Sequence, residues 1–113
     1  MSQKDDGSLA VLVLESLHCQ ITDDVMSDEP AITVNGDEVW RAADVDEGDT
    51  RAVDVRRTFV NVAIVELRDS EPPGVADDNL GSKIVESSEA GLGQRQAFFN
   101  QGTARYILRY HVE

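Results

Sequence analysis

From Leu9 onward the apolar residues of this chain either alternate with polar ones or run together in short blocks, and no ten-residue stretch carries a 3.6-residue period. Side chains on extended backbone point to opposite faces in turn, so the pattern specifies strands and leaves no amphipathic helix to cover a sheet. Leu9 to Leu17 reads as a long strand, and Pro30 opens a second through Ala31-Ile32-Thr33-Val34. Asn35-Gly36, a pair that tolerates positive φ, then predicts a hairpin returning over Glu38 to Ala42. Further strands are expected over Arg51 to Arg57, Phe59 to Arg68, Leu80 to Glu86, Gln96 to Phe99 and Tyr106 to Val112. About eight short strands, with turn signals every 8 to 12 residues, predict an all-β chain: a Greek-key antiparallel β-sandwich over residues 9–113. Residues 1–8 read as a polar N-terminal tail that a partner chain could order.

Charge narrows the function. The 113 residues contain 22 Asp and Glu against 10 Lys and Arg, a formal net charge of -12. Binding to nucleic acid needs clustered cations to replace counterions, so this balance argues against it. No run approaches the ~18 apolar residues of a membrane-spanning helix, and the first residues lack a secretory leader. The lone Cys19 excludes an intramolecular disulfide and fits a reducing, cytoplasmic setting. Eight of the basic residues are Arg and only Lys4 and Lys83 are Lys. Abundant carboxylates with scarce Lys suit a halophilic cytoplasm, where apolar Lys stems are penalised by salting-out.

The carboxylates are not spread evenly. One cluster, Asp23-Asp24-Val25-Met26-Ser27-Asp28-Glu29-Pro30, falls between the first two strands. Another, Asp69-Ser70-Glu71-Pro72-Pro73-Gly74-Val75-Ala76-Asp77-Asp78, falls between the strands that end near Arg68 and begin at Leu80. Carboxylates packed this densely repel one another unless a cation neutralises them. Oxygen donors without His or Cys select hard ions, and flexible loops rich in them favour Ca²⁺ over Mg²⁺.

Ser27-Asp28-Glu29-Pro30 followed by Ala31-Ile32-Thr33-Val34 resembles the S-D-P-Y-x-x-V segment of the C-two domain, a calcium- and lipid-binding β-sandwich. Val62 to Glu71, then Asp77-Asp78-Asn79-Leu80-Gly81, resembles the same domain's L-x-I-x-V-x-D-x-D…D-D-x-(I/L)-G segment. The resemblance covers residues 9–112 and implies a C-two-like sandwich in which two loops at one pole cup Ca²⁺. Carried over by position, it implies Asp28, Asp69, Glu71 and Asp77 as ligands, with Asp23 or Asp24 as a further first-loop donor and Glu29 and Asp78 as extras. Val25, Met26, Pro72, Pro73 and Val75 stand where that family carries apolar loop tips. The chain departs from the pattern in having Glu29 inserted before Pro30, Glu71 in place of Asp, and a longer second loop.

No catalytic constellation accompanies these loops. Trp40, Phe59, Phe98, Phe99, Tyr106 and Tyr110 are expected in or at the rim of the core. His18 and His111 lack zinc spacing, and His18 and Cys19 are strand neighbours that face opposite ways. The expectation is a non-enzymatic Ca²⁺-binding module whose ion triggers protein association, most simply self-assembly into oligomers or a filament. The Leu9 to Leu14 strand is the element expected to meet a partner. Ca²⁺-dependent docking on anionic phospholipid is the alternative, and a structural or accessory domain without a metal site is the third reading.

Overall fold

The computed structural model describes residues 8–113. Eight strands follow in chain order: β1 Leu9–Ile21, β2 Pro30–Val34, β3 Asp37–Arg41, β4 Thr50–Val60, β5 Val62–Asp69, β6 Asp78–Glu86, β7 Arg95–Phe99 and β8 Arg105–Val112. They form two four-stranded antiparallel sheets, ordered β4-β1-β8-β7 and β3-β2-β5-β6. The inner faces bury one core that includes Leu12, Leu14, Leu17, Ile32, Val65, Leu67, Leu80, Phe99, Tyr106, Leu108 and Tyr110. Among the described residues no helix is long and apolar enough to cross a membrane.

The longest strand shows how pattern becomes packing. In β1, Leu12 and Leu14 are buried, and so are Leu17 and Cys19, although an unbroken strand would point the second pair outward. The pairing with β8 jumps between Leu14↔Tyr110 and Ser16↔Arg109, which leaves Glu15 as the extra residue of a β-bulge. The bulge inverts the alternation and returns both pairs to the same side. Glu15 is turned out, where its carboxylate holds His111 Nδ1 at 2.6 Å and accepts from Gln94 Nε2 at 2.6 Å.

Asn35 and Gly36 form the expected hairpin with φ of 50° and 89°. Elsewhere the structure corrects details. β4 is continuous through Thr58, and the chain crosses to the other sheet at Asn61, a single residue with φ of 64°. A short 3-10 turn, Ser87–Glu89, occupies part of the loop expected after β6. Phe98 is 57% exposed, because alternation on the edge strand β7 buries its neighbour Phe99 instead. β1 is an interior strand, paired with β4 from Leu9 and with the end of β8 from Val11, so most of the segment expected to receive a partner has both edges filled. The tail expectation falls on residues 1–7, outside the described residues; Ser8 itself exchanges hydrogen bonds with Asn61.

The register brings four connections to one pole. β2 pairs Pro30 with Asp69 and Ala31 with Arg41, β5 pairs Asp69 with Asp78, and β8 pairs Tyr106 with both Cys19 and Phe99. The β1–β2, β3–β4, β5–β6 and β7–β8 loops therefore meet at the same end of the sandwich.

Candidate metal centre

The pole is organised around Asp28, whose relative exposure is 0%. Its Oδ2 accepts from the Asp23 amide at 2.7 Å and from the Tyr106 hydroxyl at 2.6 Å, and its Oδ1 accepts from the Asp24 amide at 3.0 Å. Its backbone exchanges two hydrogen bonds of 2.9 Å with Val45, which ties the β3–β4 loop to the β1–β2 loop. A buried carboxylate is tolerable only with such donors, and here the donors are the amides of the loop it shapes. Thr22 Oγ1 donating to the Asp24 carbonyl at 2.8 Å, and Thr103 Oγ1 donating to the Asp23 carbonyl at 3.3 Å, fasten the same turn.

Asp23 and Asp24, presented by that turn, meet Asp69 at the end of β5 and Asp78 at the start of β6. One carboxylate oxygen from each of the four lies within 4.8 Å of all the others. One hard divalent ion, bonded to oxygen at roughly 2.1–2.6 Å, can reach all four from such a ring. Asp69 is the innermost, at 1% exposure. Its Oδ1 accepts from the Glu29 amide at 2.8 Å, while its buried Oδ2 has no hydrogen-bond donor among the described residues. Burial, opposed by the Glu29 amide and reinforced by the Asp24 and Asp28 carboxylates, pushes its carboxyl up to about 8. Asp23 is pushed up to about 6 by burial and then by the Asp78 carboxyl. Glu71 is raised for the same two reasons. Without a cation the Asp23, Asp69 and Glu71 carboxyls keep their protons to higher pH than usual, and a divalent ion would take the protons' place.

The expected ligands thus separate by position. Asp23, Asp24, Asp69 and Asp78 converge, and Glu71 adjoins the cluster through Asp78. Asp28 lies beneath it with both oxygens in hydrogen bonds. Asp77 Oδ1 accepts from the Glu71 amide at 3.0 Å and closes the second loop. Glu29 is exposed at the rim and contributes its amide to Asp69. Val25 is fully exposed, at 103%, Met26 is 83% exposed and Val75 57%, with Pro72 and Pro73 also in solvent. Tyr106, Thr22, Thr103 and Val45 are the residues sequence reasoning missed. A hydroxyl on an otherwise apolar strand position was the one signal available for Tyr106.

The architecture is that of C2 domains. The first C2 domain of plant extended synaptotagmin 1 superposes with a TM-score of 0.58 at 10% identity, over 97% of this chain and 95% of that one. The calcium-bound pair of C2 domains of extended synaptotagmin 2 gives 0.60 at 14% identity, over 95% of this chain and 45% of that one. Human GIVD cytosolic phospholipase A2 gives 0.58 at 15% identity, over 93% of this chain but only 16% of the enzyme. No family model and no curated protein matches the sequence itself. The chain therefore has a C2-like fold, and it spans a small part of the phospholipase and less than half of the extended synaptotagmin 2 pair.

Proposed function

We propose that this chain is a calcium-binding module, without catalytic chemistry of its own, whose loaded pole docks on an anionic phospholipid surface. The carrying observation is Asp69: a carboxylate at 1% exposure, with an unpartnered oxygen, beside three more carboxylates close enough to share one cation with it. Asp23, Asp24, Asp69 and Asp78 would hold the ion, with Glu71 able to join them. Bound Ca²⁺ supplies positive charge at a pole otherwise repelled by anionic lipid, on a chain of net charge -12. Val25 and Met26 stand in solvent on the same loop, where burying them in the acyl boundary would gain affinity. The likeness to a calcium-bound C2 pair lends weight to the ion.

Self-assembly triggered by the ion is left with the edge strands β3, β4, β6 and β7, since β1 is interior. The carboxylate excess also suits a halophilic setting, in which the melting temperature should climb with KCl. The test is sedimentation with phosphatidylserine-containing vesicles in Ca²⁺, Mg²⁺ or chelator, with light scattering alongside. Co-sedimentation only in Ca²⁺ supports docking, and growth in particle size without lipid supports assembly. A melting temperature indifferent to Ca²⁺ and chelator would overturn the ion site itself.

A further inference from the structure

We infer that the outer face of the β4-β1-β8-β7 sheet carries a second site, a groove that binds a phosphoryl oxyanion on Arg109, Ser16 and His18. Register and alternation build it. Ser16 stands directly opposite Arg109, and His18 stands between Thr50 on β4 and Ile107 on β8. Their strand neighbours Leu17, Cys19, Leu108 and Tyr110 are buried, so these five side chains share the outward face. They line a groove of about 320 Å³.

The groove's polar side chains all have donors to offer. Arg109 has no carboxylate within ion-pair distance among the described residues, whereas Arg41, Arg51, Arg56, Arg68 and Arg95 each have one. Arg105 is spent on the carbonyls of Asn100, Gly102 and Ala104. Glu15, whose field reaches Arg109, is already engaged by His111 and Gln94. Thr50 Oγ1 lies 2.7 Å from His18 Nδ1. With that hydroxyl donating to Nδ1, the imidazole has its Nε2–H to offer. Guanidinium, imidazole N–H and the Ser16 hydroxyl then present three kinds of donor to one anion, and Ile107 offers an apolar wall to whatever carries it. Among the described residues no carboxylate lines the groove, in a chain that carries 22 acidic residues. The site is independent of the calcium pole, and the phosphoryl group could come from a soluble phosphoester or from a lipid headgroup.

The experiment is an amide NMR titration with inorganic phosphate in low salt and chelator, on the wild type, Arg109→Gln and Arg57→Gln. Saturable shifts at Ser16, His18 and Arg109 are expected, weakened about tenfold or more by Arg109→Gln and unchanged by Arg57→Gln. Absence of saturable shifts, or equal weakening by both variants, would overturn the site. Arg109→Gln should keep the wild-type melting response to Ca²⁺, which separates loss of the anion from loss of the fold. A second arm uses phosphatidylcholine vesicles with and without phosphatidic acid, still in chelator so that the pole is silent. Binding that needs both phosphatidic acid and Arg109 assigns a lipid source, and a phosphate response without it assigns a soluble one.

Discussion

The Tyr106 hydroxyl donates to Oδ2 of Asp28 at 2.6 Å, joining the inner face of one sheet to a loop 78 residues earlier in the chain. Burial and the carboxylate it serves both push the Tyr106 phenol far above its ordinary range, so it stays a donor at any working pH. The pole thus has two layers. A buried carboxylate with three donors shapes the first loop, and the cluster above it keeps a buried Asp69 oxygen with no donor, a place for a cation.

Tyr106→Phe tests the lower layer. The ring is kept and one charge-assisted hydrogen bond is lost, which should cost about 2 kcal/mol in urea unfolding with no change in the denaturant slope. Calcium affinity should fall as well, because Asp23 and Asp24 take their positions from Asp28. An unaltered affinity, measured by calorimetry, would show that Asp28 does not set the cluster.

Asp69→Asn tests the upper layer and should move two observables in opposite directions. In chelator at pH 8 the variant should melt higher than wild type, because it removes a buried, unpartnered negative charge and keeps the Glu29 amide's acceptor. Its stabilisation by Ca²⁺ should be lost or strongly reduced. A variant that melts lower in chelator and keeps its calcium response would place Asp69 in the scaffold and not at the ion.

Stability against pH follows from the raised carboxyls. Asp69 and Asp23 have folded values of about 8 and about 6 against ordinary values of 3.8, so the native state holds extra protons between those limits. Their contribution is fully present below pH 3.8 and is lost as pH rises through 6 and then 8. Glu15, Glu38, Glu89 and Glu113 are lowered by His, Arg, Tyr or backbone partners and act in the other sense, losing their contribution only below about pH 4.5. The melting temperature in chelator should therefore decline from pH 5 to pH 8, and saturating Ca²⁺ should flatten or reverse the decline. A flat profile in chelator would contradict the cluster's protonation.

Val25→Ser with Met26→Ser separates docking from folding. Both side chains stand in solvent, so unfolding free energy should change by less than about 0.5 kcal/mol and the calcium-induced melting shift should persist. Vesicle co-sedimentation in Ca²⁺ should drop several-fold. Undiminished co-sedimentation would mean that lipid is met elsewhere.

Much of this was legible in the chain. The period of two, the Asn35-Gly36 turn and the spacing of breaks specify strands and their order in sequence, because alternation and φ preference are local properties. The two acidic loops were legible too, since charge density needs no tertiary context to be costly. Other features arise only when distant segments meet. The Glu15 bulge decides which face Leu17 takes, and a one-residue slip is visible only against the register of β8. The division of labour among the carboxylates was likewise beyond the sequence. Asp28 in the first loop and Asp69 at the end of β5 are both buried aspartates, yet one is saturated by two amides and a distant tyrosine while the other keeps a bare oxygen. Composition by itself determined that this chain must manage surplus negative charge on a β-sandwich. Which carboxylates are shielded and which are left facing each other was decided by tertiary structure, because hydrogen-bond donors reach a buried oxygen through space and not along the chain.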